Sequence, residues 1–309
     1  MSLYALIKSN GPSGFGYRST AEDVTADLSL NGRRILVTGC NSGLGFETMR
    51  VLALRGAHVV GTARTAGKAR DAALRIRGSA EGMACELSDP SSIRACVAAL
   101  KADGVPLDAI ICNAGIMALP KLEQAFGYEL QFFTNHIGHF MLVTGLTDLL
   151  AEDGRVVMLS SAAHRMAPKE GIQFDNLSGE KGYKAGMAYG QSKLANLLFA
   201  KELARRFAGS ARTANAVHPG VIATNLMRHI PVPRPILAGI MGVLSAVAFK
   251  TVPQGAATQC YAAAHPQASA LNGHYLADCN VAPARPDADD AALAARLWDV
   301  SEQIVAKLP

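Results

Sequence analysis

The chain has 309 residues, half of them hydrophobic and 18% charged, which provides ample material for a buried core and excludes global disorder. Thirty Lys and Arg against 25 Asp and Glu leave a mild net charge of +5, scattered rather than gathered in a stripe. Nucleic-acid binding is therefore not indicated, whereas a site for an anionic cofactor fits.

Residues 1–31 read as a Gly- and Ser-containing arm, in which Ser19-Thr20-Ala21-Glu22 has the form of a capping box and predicts a short helix. Its five-residue apolar run is too short for the core of a signal peptide. From Arg33 onward, short apolar runs alternate with longer helical periods. The strand-like runs are RILVTG, AHVVGTA, GMACEL, DAIICNAG, RVVMLSS, TANAVHPG and GHYLADC. Helices are expected over 44–55, 67–77, 90–101, about 122–150, 187–208, 253–264 and 289–307. Strands that are apolar throughout, separated by helices of ten or more residues, mean a parallel sheet covered on both faces. The expected fold is a doubly wound, Rossmann-type α/β domain over 32–309. Six cysteines (Cys40, Cys85, Cys96, Cys112, Cys260 and Cys279) form no C-x-x-C pair, and several lie in apolar runs, as small hydrophobes of a reducing cytoplasm do. The apolar run at 235–249 is shorter than the roughly 20 residues that cross a bilayer, so no membrane span is expected and a buried or substrate-covering helix is the better reading.

The first strand leads directly into TGCNSGLG. Gly39, Gly43 and Gly45, with Asn41, Ser42 and Leu44 between them, lie between a strand and a helix, the context that gives a glycine pattern meaning. Glycine allows a sharp turn and lets backbone approach a pyrophosphate, whose charge is met by the helix N-terminus. At the end of the second strand, where an acidic residue would bond the ribose hydroxyls of NAD, the chain has Ala63 followed by Arg64. A guanidinium there suits a 2′-phosphate and favours NADP(H) over NAD(H).

Within MAYGQSKLAN, Tyr189 and Lys193 stand four residues apart, hence on one helix face and close enough for the ammonium to act on the phenol. Such a pair is often only a solvated face. His136 and His139 are spaced for one face of a helix too, but no third ligand or carboxylate accompanies them in the motif, so they read as structural and no metal is expected.

Taken together, TGCNSGLG, CNAG, NHIGHF, SSAAH, YGQSK and HPG resemble the short-chain dehydrogenase/reductases in order and spacing, and T-G-x-x-x-G-x-G is similar to their single-domain branch. GYELQFFTNHIGHFMLVTGL and GEKGYKAGMAYGQSKLANLLFAKELARRF resemble the retinol dehydrogenase and WW-domain oxidoreductase group in particular, and the similarity runs over about residues 15–285. The resemblance implies Tyr189 as acid/base, its anion favoured by Lys193 and by an oxidised nicotinamide, with Lys193 also on the nicotinamide ribose. It implies Ser161 as the donor to the reacting oxygen, in preference to Ser160, and Asn135 as the holder of a water on the path to Lys193. An asparagine bonded to its own helix is the alternative for Asn135. Asn113, Ala114 and Gly115 would lie along the adenosine ribose, Glu86 and Leu87 at the adenine, and Pro219, Gly220 and Thr224 near the nicotinamide amide. The chain departs from the pattern at Cys112, where many members have asparagine, and at Glu86, where Asp is usual. The longer Ser161–Tyr189 separation is shared with the retinol dehydrogenase group.

The implied activity is hydride transfer between NADP(H) and the carbonyl or alcohol of a small apolar substrate, with a lid at about 225–252. Family members often assemble through their long helices, so a homodimer or homotetramer is an expectation. Two other readings compete: a redox sensor or scaffold that binds NADP(H) without turnover, and a reductase of a conjugated carbon–carbon double bond. Retention of Asn135, Ser161, Tyr189 and Lys193 together argues against the first.

Overall fold

The apolar runs become strands of one sheet in the computed structural model, which describes residues 8–222 and 249–309. In chain order these are β1 (Arg34–Thr38), β2 (His58–Ala63), β3 (Ala80–Ala84), β4 (Leu107–Cys112), the small ribbon β5 (Gln124–Ala125) and β6 (Tyr128–Glu129), β7 (Leu150–Leu159), β8 (Thr213–His218), β9 (Tyr275–Ala277) and β10 (Asn280–Val281). The main sheet runs β10-β9-β8-β7-β4-β1-β2-β3. All its pairings are parallel except β9 with β10. The order reverses between β1 and β4, so a crevice opens at the C-terminal ends of these two strands.

Strand residues alternate between two cores, as a sheet covered on both faces requires. Leu36, Val60, Ile110 and Val156 face α3 (Pro90–Asp103), α4 (Gly138–Leu146), α5 (Ala185–Arg206) and α7 (Ala291–Ala306). Ile35, Val37, Val59, Ala109, Ile111 and Val157 face α1 (Gly43–Leu54), α2 (Ala66–Ala73) and α6 (Val252–Ala264). Local chemistry sets the helix ends. The Asp89 carboxylate accepts from the Ser91 amide with Pro90 in the first turn, and Gly104 ends α3 in the left-handed region (φ 70°). Thr251 and Gln254 form a reciprocal capping box at α6.

Three expectations need correction. The helix expected over about 122–150 starts later, because Phe126 and Gly127 adopt positive φ (52° and 81°) and close the β5–β6 ribbon. A turn at Leu130–Phe132, a π-helical turn at Phe133–Ile137 and α4 then follow. At the other end, β7 begins at Leu150 rather than Arg155. The expected box at Ser19–Glu22 is displaced by one residue: the Thr20 hydroxyl accepts from the Asp23 amide, and Asp23 accepts from the Thr20 amide. Glu22 instead pairs with Arg50. The described part of the arm is not pendant. Phe15 lies edge-on to Tyr261 and His265, and the Asn280 amide brackets it, accepting from the Ser13 N–H and donating to the Phe15 carbonyl. Thr224, and residues 225–248 of the lid expected at about 225–252, lie outside the described residues.

Candidate active site

The crevice is floored by the turn from β1 into α1. Gly39 and Gly43 have φ of +72° and +56°, which suits glycine alone without strain. Gly45 is required for a different reason: a Cβ there would lie 2.2 Å from the Gly39 carbonyl oxygen and 2.5 Å from the Asn113 amide. Ser42 leads into α1 with extended backbone and no side-chain cap, so its hydroxyl does not occupy the first amides of the helix. Asn41 and Ser42 are exposed, with Leu44 partly buried. A bare-backbone cradle at a helix N-terminus fits a pyrophosphate. Arg64, exposed, follows β2 on the same edge of the sheet, and Leu87, buried, follows β3. The longer Glu86 side chain folds back and accepts from the amide and hydroxyl of Ser88.

Across the crevice the end of β4 is tied to β1. Asn113 donates to the Thr38 carbonyl (2.8 Å) and accepts from Gln259 of α6 (3.4 Å), while the Ala114 amide donates to the Thr38 hydroxyl (2.9 Å). Gly115 lies between two of the predicted residues, since a Cβ on it would be 3.1 Å from Asn135 Oδ1 and 3.4 Å from Lys193 Nζ.

Tyr189 and Lys193 project from α5, whose approach is set by Gly190. A Cβ at that position would come within 2.7 Å of the Ala163 oxygen and the Ala167 nitrogen. Tyr189 is buried; burial pushes its phenol up to about 12, and the neighbouring Ser161 hydroxyl works in the opposite direction. The Lys193 ammonium is buried, donates to the Leu159 carbonyl (2.9 Å) and lies 5.7 Å from the centre of the Tyr189 ring. Burial alone pulls it down to about 8. Ser160 turns away and donates to the Lys193 carbonyl (2.8 Å). The Asn135 amide does not bond its own helix: it accepts from the Ile116 N–H (2.8 Å) and donates to the Ile116 carbonyl and the Ser192 hydroxyl (both 2.9 Å). Asn135 and Lys193 thus meet at Gly115, with the Tyr189 ring beside Lys193. Pro219 and Gly220 follow β8, Gly220 at φ +87° with the Lys250 side chain against it.

His136 and His139 do not share a ligand. His136 Nε2 meets Ser301 (2.9 Å), whereas His139 lies between Asn135 and Thr38. Both are fully buried, and burial pulls them down to about 3 and about 4. Sequence reasoning missed Thr38, Gln259, Ser192 and the Lys250–Asp278 ion pair (2.5 Å). Thr38 and Ser192 lie inside the quoted TGCNSGLG and YGQSK, but their cross-crevice partners Ala114 and Asn135 are far away in sequence, as are those of Gln259 and Lys250.

A glycine cradle at the switch point of a doubly wound sheet defines a Rossmann-type protein built around a dinucleotide site. The particular family follows from comparison: a family model described as short chain dehydrogenase matches residues 33–233, and the chain belongs to that family of oxidoreductases, whose members use NAD(P)(H). It is 41% identical to the chloroplastic short-chain dehydrogenase TIC 32 A of Brassica napus over the whole of both chains. It is 36% identical to human retinol dehydrogenase 14 over 90% of this chain and 88% of that one. Among solved structures, an uncharacterized protein of Mycobacterium Paratuberculosis superposes with TM-score 0.74 at 35% identity, covering 92% and 97% of the two chains. A short chain dehydrogenase of Burkholderia cenocepacia in complex with NADP gives 0.63 at 25% identity, covering 80% and 96%. Among the described residues, no helix is long and apolar enough to cross a membrane.

Proposed function

We propose that the protein is an NADP(H)-dependent oxidoreductase acting on the carbonyl or alcohol group of an apolar substrate, with Tyr189 as the acid/base. The observation that carries this reading is the buried Lys193 ammonium, 5.7 Å from the Tyr189 ring and beside the Gly115 turn that shares the crevice with the glycine cradle. The nicotinamide, when bound, supplies or accepts the hydride. The protein does the rest. Burial keeps the Tyr189 phenol protonated at neutral pH, the form that donates a proton to a carbonyl being reduced. Ser161, beside Tyr189, would give its one O–H to a developing alkoxide, a second donor alongside the phenol. The Asn135 amide fixes the Ile116 backbone beside Gly115, and Lys193, held by the Leu159 carbonyl, would meet the nicotinamide ribose. Arg64 would take the 2′-phosphate, a reading supported by NADP in the Burkholderia relative. That the substrate is apolar is inferred from the apolar sequence at 235–249, and a reducing cytoplasm from the six buried free thiols. Tyr189→Phe tests the central role: it should bind NADPH as the wild type does and lose at least about 100-fold in turnover. A variant of near-native rate would remove Tyr189 from the mechanism.

A further inference from the structure

The Asn135 backbone and the cofactor-side turn at Ala114 are joined through two side chains in series, His139 and Thr38. His139 Nδ1 lies 2.9 Å from the Asn135 carbonyl oxygen, and Nε2 lies 2.9 Å from the Thr38 hydroxyl. The same hydroxyl accepts from the Ala114 amide at 2.9 Å. Every group in this chain is buried or partly buried, and His139 is fully so. The directions of the bonds are forced. A carbonyl only accepts, so Nδ1 carries the proton; Nε2 then has a lone pair and accepts the Thr38 O–H, leaving the hydroxyl oxygen free to accept the Ala114 N–H. An imidazolium would donate from both nitrogens, and the Thr38 proton would then lack its partner.

We propose that His139, as the neutral Nδ1–H tautomer, is a positioning residue that locks the cofactor-side turn at Ala114 to the Asn135 segment. Two ties then bracket Gly115: Ala114 through Thr38 and His139, and Ile116 through the Asn135 amide. Gly115 is also the residue against which Asn135 and Lys193 pack, so the register of the cofactor floor against the catalytic side chains passes through this imidazole. The π-helical turn at Phe133–Ile137 ends just before it and helps to set where the ring stands relative to Asn135.

The inference rests on the cofactor reading above, and its test separates the two. NADPH binding by fluorescence and single-carbonyl turnover are measured for wild type, His139→Phe, His139→Gln and His139→Asn, and the 15N shifts of the ring are read in the wild type at pH 7. Phe removes both ends and should weaken NADPH about tenfold and lower kcat about tenfold or more. Gln, whose carbonyl reaches the Nε2 position, should restore NADPH affinity to within about threefold while kcat stays low. Asn, whose amide reaches the Nδ1 position, should do the reverse. The ring shifts should show the Nδ1–H tautomer. If wild type binds NADPH but the three variants differ only in thermal stability, or the ring is the Nε2–H tautomer, the inference is wrong and the cofactor reading stands. If wild type binds neither NADPH nor NADH, the cofactor reading falls and the inference falls with it.

Discussion

His136 offers a quantitative test of the core beneath the site. Its ring is fully buried among Phe132, Phe140 and Phe199, with Nε2 on Ser301 and Nδ1 without a partner. Burial pulls it from the usual 6.5 to about 3, with the neighbouring His139 acting in the same direction. The folded state therefore resists a proton that the unfolded chain takes up. Stability from this group is full above pH 6.5 and declines as pH falls from 6.5 toward about 3, by about 1.4 kcal/mol per unit. Between pH 7 and pH 5 the loss comes to about 2 kcal/mol, a sizeable share of a typical stability of about 5–15 kcal/mol. Other groups also lose stability over this range, so the comparison is with His136→Leu, which lacks this titration and leaves the rest in place. Urea unfolding at both pH values should show the wild type losing about 2 kcal/mol more than the variant. Equal losses in the two proteins would refute the assignment of a neutral, buried imidazole.

Other outcomes follow from the site itself. Gly45→Ala places a methyl group 2.2 Å from the Gly39 carbonyl oxygen, so the cradle must open and NADPH affinity should fall at least about tenfold in a binding titration, while a fold that merely relaxes would keep it. Arg64→Ala should raise the KM for NADPH by roughly 10–100-fold and leave that for NADH unchanged, as loss of a charge-assisted phosphate contact predicts; retained preference for NADPH contradicts it. Lys193, held at about 8, loses its charge as pH rises through that value, whereas Tyr189 keeps its proton to about 12. Reductive kcat/KM should therefore decline above pH 8, and Lys193→Arg should move that limb upward; a limb that does not move places the titration elsewhere.

Much of the site was legible because its chemistry is local. The glycines at 39, 43 and 45 stand between a strand and a helix, and Tyr189 and Lys193 share a helix face, so short-range spacing specifies them. Ser161 over Ser160 is also local, since alternate residues of an extended strand face opposite ways. Thr38, His139 and Gln259 were not legible as parts of the site. Each depends on partners brought near only by the wound sheet, and although Thr38 and His139 lie within quoted motifs, neither carries a sign in the sequence of what it will touch. The long helix expected over about 122–150 failed for a different reason. Its apolar content is high throughout, yet Phe126-Gly127 makes a left-handed turn that periodicity alone does not register. The displaced cap at Thr20–Asp23 shows the same limit on a smaller scale, because two adjacent frames offered capping residues and Arg50 drew Glu22 away.

The most direct test of the account is NADPH consumption against a panel of apolar ketones and aldehydes, with NADH run alongside and Tyr189→Phe as the control. At least one carbonyl should turn over with NADPH, with little turnover with NADH and almost none in the variant. Measurable NADPH binding without turnover of any carbonyl, or equal rates in wild type and variant, would contradict it.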